Sequence, residues 1–363
     1  MKYIKLALLG MAVTTVVSCS KSDKPETTPT ADFNTLKATF ITDFVSKTAI
    51  PGYKDLATKA GTFSDKVTIL KSTPTEANLA TAKQAWRDMR STWEQCEGFL
   101  FGPVEDDNLD PSMDTWPVDK SAMDALLADN SNKLELPDIV KLTEALKGYH
   151  PIEYVLWGAD GQRKAADITA REMQYITSLT QDLKNICDKL SDSWAPAGGN
   201  YGNKLLTIGA AGNIYAKKQD VYIAIVDGMK GICDEVGSGK MKEPFDLKDG
   251  TKVESPFSGN SVTDFKNNLQ GAYNVYTSTF LGNKGVGFDQ VVSAKNAALN
   301  KKIVEGFQAA IGSFDAITLP YEKAILDAGG QRTQCDNAMK AINALAVVLD
   351  TELRDFVVKN ITD

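Results

Sequence analysis

The chain has 363 residues, of which 43% are hydrophobic and 24% charged, and its 40 Lys and Arg against 47 Asp and Glu give a net charge of −7. That composition is ample for buried cores, and with no long basic run it argues against a nucleic-acid partner. An acidic surface favours cations over anionic ligands.

Residues 1–18 read as an export signal. Lys2 and Lys5 supply positive charge, and the apolar run from Leu6 through Val17 is shorter than the ~20 residues a membrane helix needs. The run ends in Val16-Val17-Ser18-Cys19, a small residue before a cysteine, which resembles a bacterial lipobox. The resemblance implies cleavage before Cys19, lipid attachment to its thiol and membrane association through that anchor. Residues 19–32 are polar and contain Pro25 and Pro29, a composition suited to a flexible tether. Ser20 offers no acidic retention cue, so the outer membrane is the expected address, with either face open.

The remaining chain reads as helices. Residues 33–48 and 53–71 form two, separated by Pro51-Gly52. Thr75 caps a long helix over 75–100, on which Ala82, Ala85, Trp86, Met89, Trp93, Cys96 and Leu100 share a broad face, with Gly102-Pro103 as its stop. A short helix covers 119–129, and Pro137 opens one leading to His150. Residues 165–193 and 204–236 follow, divided by the Pro- and Gly-containing stretch 195–202. Residues 243–257 are irregular, with a short hairpin expected around Asp249-Gly250. Segments 261–281, 289–314 and 320–361 complete the set, the last broken near Gly329-Gly330. Its apolar stripe, Cys335, Met339, Ile342, Ala346, Leu349, Leu353 and Phe356, steps by three and four.

These patterns predict an all-α fold of two helical-bundle halves, 33–195 and 203–363, with a duplicated four-helix unit as one way to build it. Cys96, Cys187, Cys233 and Cys335 are scattered, so export permits one or two disulfides, while helical positions equally suit buried thiols.

His150 is the only histidine. It stands in Gly148-Tyr149-His150-Pro151-Ile152-Glu153-Tyr154-Val155-Leu156-Trp157-Gly158, and on a helix its imidazole and the Glu153 carboxylate share a face. They can converge on one cation. Two-histidine zinc signatures are excluded. Asp106, Asn108 and Asp110 imitate a calcium loop, but Pro111 stands where glycine is required. Gly282, Gly285 and Gly287 follow no strand, as a dinucleotide site would demand.

Three strings together resemble the imelysin family, also called the insulin-cleaving metalloproteinase or iron-regulated outer-membrane protein family. They are Arg90-Ser-Thr-Trp93-Glu94-Gln95-Cys96-Glu97-Gly98-Phe99-Leu100-Phe101-Gly102 with Trp116-Pro117-Val118-Asp119, the G-x-H-x-x-E string at Gly148–Glu153, and Glu254-Ser255-Pro256-Phe257-Ser258-Gly259-Asn260-Ser261 with Asp264, Asn268 and Gly271. The resemblance implies two helical bundles with the His150 helix near their interface, and a cell-envelope role in metal, often iron, acquisition. It matches His150 and Glu153 to the signature, Glu97 and Arg90 to the first string, and Glu254 and Ser258 to the third. Val262 stands where family members often carry a histidine, which implies a different or poorer site.

The minimal cation site is therefore His150 and Glu153 with Glu97 from a facing helix. Glu94 is the alternate and Arg90, Glu254 and Ser258 line the site. One imidazole among carboxylates suits iron or zinc. A metal-binding lipoprotein is the first expectation and a metallopeptidase the second, with Glu94 as its base. A binding module for haem or a peptide at the interdomain cleft is the third.

Overall fold

Long amphipathic helices carry the apolar stripes that the sequence sets out. The computed structural model describes residues 32–362. The export signal, Cys19 and the tether up to residue 31 lie outside the described residues.

The main helices, in chain order, are Phe33–Asp43, Ile50–Ser72, Glu76–Cys96, Lys120–Ala128, Tyr149–Trp157, Ala170–Trp194, Lys218–Asp234, Ser261–Thr277, Ala297–Ser313, Arg332–Val348 and Arg354–Asn360. Among the described residues the only strands are Thr279–Phe280 and Asn283–Lys284, so the fold is all-α, as expected. Helix starts follow capping chemistry. Thr75 Oγ1 accepts from the Asn78 N–H, and Thr169 exchanges side-chain bonds with Glu172 in a reciprocal box.

Several boundaries differ from the sequence expectation. Pro51-Gly52 does not separate two helices. The chain runs through a π-helical turn, Phe44–Ala49, into Ile50–Ser72, and the wider turn absorbs the hydrogen bond that proline cannot make. Residues 204–236 are not one helix but Gly202–Leu206 and Lys218–Asp234. Between them Asn213 Nδ2 donates to the carbonyls of Lys204 and Thr207, closing a loop. Pro137 opens only the single turn Leu136–Ile139. The hairpin lies at Thr279–Lys284 rather than at Asp249-Gly250, because Leu281 and Gly282 both adopt positive φ, as a two-residue hairpin turn requires.

From Phe33 onward the chain packs as one compact unit. At its centre the Glu76–Cys96 helix lies between Ile50–Ser72 and Ser261–Thr277, with Trp86, Met89, Trp93 and Cys96 fully buried. The crossing with Ser261–Thr277 is so close that only glycine fits. A Cβ on Gly271 would lie 2.2 Å from the Gln95 carbonyl oxygen, and one on Gly98 2.8 Å from the Ala272 nitrogen. That approach sets Glu94 and Glu97 beside Asp264 and Asn268.

Cys96, Cys187, Cys233 and Cys335 are all buried free thiols. Among the described residues no helix is long and apolar enough to cross a membrane.

Candidate metal centre

Gly148 explains the start of the histidine string. Its φ is 77°, and a Cβ there would lie 1.9 Å from the Met113 carbonyl oxygen. Only glycine lets Tyr149–Trp157 begin against the Leu109–Asp114 segment. The packing delivers His150, fully buried, next to Asp114.

The two ring nitrogens face different partners. Nδ1 lies 3.3 Å from Glu153 Oε2. The other Glu153 oxygen accepts from the Ser258 N–H and hydroxyl, each at 2.7 Å. Both Glu153 oxygens are therefore engaged in fixing the ring. Nε2 lies 3.0 Å from Asp114 Oδ1, an ion pair when the ring is protonated. The Trp116 ring stands edge-on to the imidazole at 5.0 Å between centroids.

Arg90 organises the acids around this ring. Its buried guanidinium reaches Asp114 Oδ1, Glu94 Oε1 at 2.5 Å and Glu254 Oε1 at 3.1 Å, with Asp264 at 3.9 Å. It also lies over the Tyr149 ring. Asn268 Nδ2 donates to Glu94 Oε2 and Glu97 Oε2, each at 2.5 Å. A second cation enters from the π-helical turn Glu235–Lys240. Lys240 Nζ lies 3.0 Å from Glu254 Oε1 and 3.2 Å from both Glu97 Oε2 and Glu235 Oε1.

Acids outnumber cations here, and the proton affinities show it. Burial raises Glu94 to about 8, with Glu254 and Asp264 adding to it against the pull of Arg90 and Lys240. Burial, then Glu94, carries Glu97 well above the usual carboxylate range. Burial raises Asp264 to about 7 against the pull of Arg90, and burial with Asp114 does the same for Asp110. Burial also works on Asp114, but Arg90 and then His150 outweigh it and hold that carboxyl well below its ordinary value. For His150, burial opposes the charged ring, yet Asp114 and Glu153 carry it up to about 9. The pocket thus holds protons that an incoming metal ion would replace.

Two groups can gather a cation. One is Asp114, His150 and Glu254, the other Glu97, Asp110 and Asp114, each with ligand atoms within 4.8 Å of one another. The first fits a metal on structural grounds. Glu254 Oε2 is buried without a hydrogen-bond partner, an expensive state unless something else takes its lone pairs, and His150 Nε2, 3.0 Å from Asp114 Oδ1, can offer a lone pair to an ion once its proton leaves. Nitrogen with carboxylate oxygen suits iron, manganese or zinc. The adjoining cavity has a volume of about 250 Å³ and is lined by Glu97, Asp110, Asp114, Trp116, Lys240 and Glu254 among others. Beyond Trp116 lies a larger, more apolar hollow of about 630 Å³, bounded by Pro117, Val118 and Phe257.

The sequence candidates Arg90, Glu94, Glu97, His150, Glu153, Glu254 and Ser258 all fall in this neighbourhood. His150, Glu153 and Glu97 do not form one cluster: Glu153 lies behind the ring, and Glu97 groups with Asp110 and Asp114. Four residues central to the geometry were not singled out as ligands. Asp114 sits two residues before the Trp116-Pro117 string, Asp264 lies within the third string, and Asp110 belongs to a stretch that only imitates a calcium loop. Lys240 follows Gly237-Ser238-Gly239, which reads as a helix stop, and no local pattern marks it.

The family model described as Imelysin, a peptidase family, matches residues 49–349. The chain is 29% identical over 314 residues to Iron-regulated protein A of Synechococcus elongatus, covering 86% of this chain and 83% of that protein. Two solved structures share the fold. A Parabacteroides distasonis protein, solved under the name iron-regulated protein A precursor, superposes with a TM-score of 0.79 at 24% identity, over 93% of this chain and 97% of that one. An imelysin-like protein from Psychrobacter arcticum gives 0.72 at 14% identity, over 92% and 98%.

Proposed function

The chain belongs to the imelysin family, and from that premise we propose that it is an exported cell-envelope protein that binds a metal ion, iron first among the candidates, as part of iron acquisition. The name of its cyanobacterial relative supports iron, and the precursor naming of the Parabacteroides protein supports export. Lipid anchoring at Cys19, with the outer membrane as its address, belongs to the same proposal.

The observation that carries the reading is the buried, unpartnered Glu254 Oε2, gathered with Asp114 and with the His150 Nε2 that faces Asp114. His150, Asp114 and Glu254 would hold the ion. Glu153, itself held by Ser258, keeps Nδ1 occupied so that Nε2 faces inward, the usual job of a carboxylate behind a ligating imidazole. Arg90 holds Asp114 and Glu254 in place. A bound iron ion is the cargo in this reading, and the protein supplies selection and retention.

Elemental analysis of protein purified without chelator tests it, comparing wild type with His150→Ala and Glu153→Ala. Metal in the wild type, lost in His150→Ala and reduced in Glu153→Ala, is the expected result. Equal metal in all three overturns the reading.

The family's peptidase designation favours a metallopeptidase as the second reading. It is ranked lower because Glu94 and Glu97, the carboxylates available as a base, are bonded to Arg90, Lys240 and Asn268. Chelator-sensitive cleavage of an unfolded substrate would promote it. Haem or a peptide does not fit the metal pocket itself, whose cavity of about 250 Å³ is below the roughly 300–1,000 Å³ of organic-ligand sites, so that third reading would rest on the hollow of about 630 Å³ beyond Trp116.

A further inference from the structure

Two cations touch the same carboxylate oxygen. Glu254 Oε1 lies 3.1 Å from Arg90 and 3.0 Å from Lys240. They differ in what holds them. Arg90 is wholly buried on a long helix, clamped by four acids. Lys240 ends a π-helical turn that contains Gly237 and Gly239, and its side chain retains 12% of its exposure and lines the cavity. An ammonium on a four-carbon stem is a compact charge with rotational freedom that a guanidinium fork in a clamp lacks. Arg90 is structural, whereas Lys240 can leave.

A place to go is already present. Glu235, on the same turn, is about half exposed at 48%, and its Oε1 lies 3.2 Å from Lys240 Nζ. An ammonium released from Glu254 and Glu97 keeps that partner at the cavity rim. The buried groups that it leaves include the acid whose second oxygen has no partner.

Resting on the metal-binding reading above, we propose that the Lys240 ammonium is the pocket's own resident cation. It occupies Glu254 and Glu97 in the metal-free protein, and it must withdraw toward Glu235 when a metal ion takes Glu254. A metal ion on Glu254 Oε2 adds a further charge beside a carboxylate that already carries Arg90 and Lys240, and of those two cations the lysine, not the clamped arginine, is free to give way to the repulsion. The lysine therefore keeps the empty acidic pocket neutralised and sets a threshold affinity that only a multivalent cation overcomes.

The test is titration of the full mature protein with Mn(II), read by calorimetry, in wild type, Lys240→Met and Lys240→Gln. Both variants should bind Mn(II) at least tenfold more tightly than wild type. Without metal they should melt at lower temperature, since Glu97 and Glu254 each lose one of their partners, and they should regain more from Mn(II) than wild type does. Because the variants can be too unstable to purify, a second measurement uses the wild type alone. Acetylation of Lys240 by acetic anhydride, quantified by mass spectrometry, should rise several-fold when Mn(II) is present. Equal or weaker Mn(II) affinity in both variants, or Lys240 labelling unchanged or reduced by Mn(II), overturns the proposal and leaves metal binding intact. No Mn(II) binding by any form, wild type included, removes the metal-binding reading itself.

Discussion

Ser258 places its backbone N–H and its hydroxyl on one oxygen of Glu153, each at 2.7 Å, while the other Glu153 oxygen meets His150 Nδ1 at 3.3 Å. The 254–261 loop is thereby tied through Glu153 to the imidazole, and the same loop presents Glu254 to the cavity. Ligand placement and ligand support arrive on one segment. A disturbance at Ser258 is transmitted to both.

Ser258→Ala removes one of the two donors to Glu153, and Glu153→Gln removes the charge that orients Nδ1. Losses of this kind behind a ligating histidine cost about 10–100-fold in metal affinity. Calorimetric titration should show weaker binding at unchanged stoichiometry in both variants, against complete loss in His150→Ala. Ser258→Ala at wild-type affinity removes the orienting role.

Much of this was legible in the chain and some was not. Periodic stripes such as Cys335 to Phe356 gave the helices because apolar spacing is a local property. The glycine before His150 and the acids of the first and third strings lay in recognisable order, so their proximity could be expected. Asp114 and Lys240 could not be found that way. Each joins the site only through tertiary packing: Asp114 because Gly148 lets two segments touch, Lys240 because a π-helical turn redirects a residue that follows a helix-stop pattern. The break at Pro51-Gly52 misled for the opposite reason, since a distortion upstream accommodated a residue that ordinarily ends a helix.

Arg90 carries a charge that burial alone opposes, yet Asp114, Glu94, Glu254 and Asp264 together hold its pKa well above the ordinary value. Removing it strands several buried acids at once. Arg90→Ala should lose about 3–5 kcal/mol of stability, the usual cost of breaking a buried ion pair from one side, measured by denaturant unfolding of chelator-treated protein. A loss below about 1 kcal/mol, as for an exposed ion pair, contradicts the clamp.

His150, being the sole histidine, gives one ring signal in histidine-labelled protein. In the metal-free state burial opposes its charge, but Asp114 and Glu153 raise its pKa from 6.5 to about 9. A raised folded pKa stabilises the native state fully below the unfolded value, and that contribution disappears as pH climbs through about 9. Glu94, raised to about 8 chiefly by burial, acts in the same direction. The ring resonance of chelator-treated protein should titrate near pH 9, and unfolding free energy should fall between pH 7 and 9, less steeply in His150→Gln. A midpoint at or below 6.5 contradicts the Asp114 contact.

Asp114 and Asp110 separate the two groups that can gather a cation. Asp114 belongs to both, and it also faces Arg90 and accepts from Trp93 Nε1 at 2.7 Å. Asp110 belongs only to the group without His150 and is only partly buried. If the ion rests on His150, Asp114→Asn should weaken Mn(II) binding by more than about 100-fold, or about 2.7 kcal/mol. Asp110→Asn should stay within about tenfold of wild type. Comparable losses in both variants would instead move the ion to the all-oxygen group with Glu97. His150 would then act only as a charged partner to Asp114, and its Nε2 would not serve as a ligand.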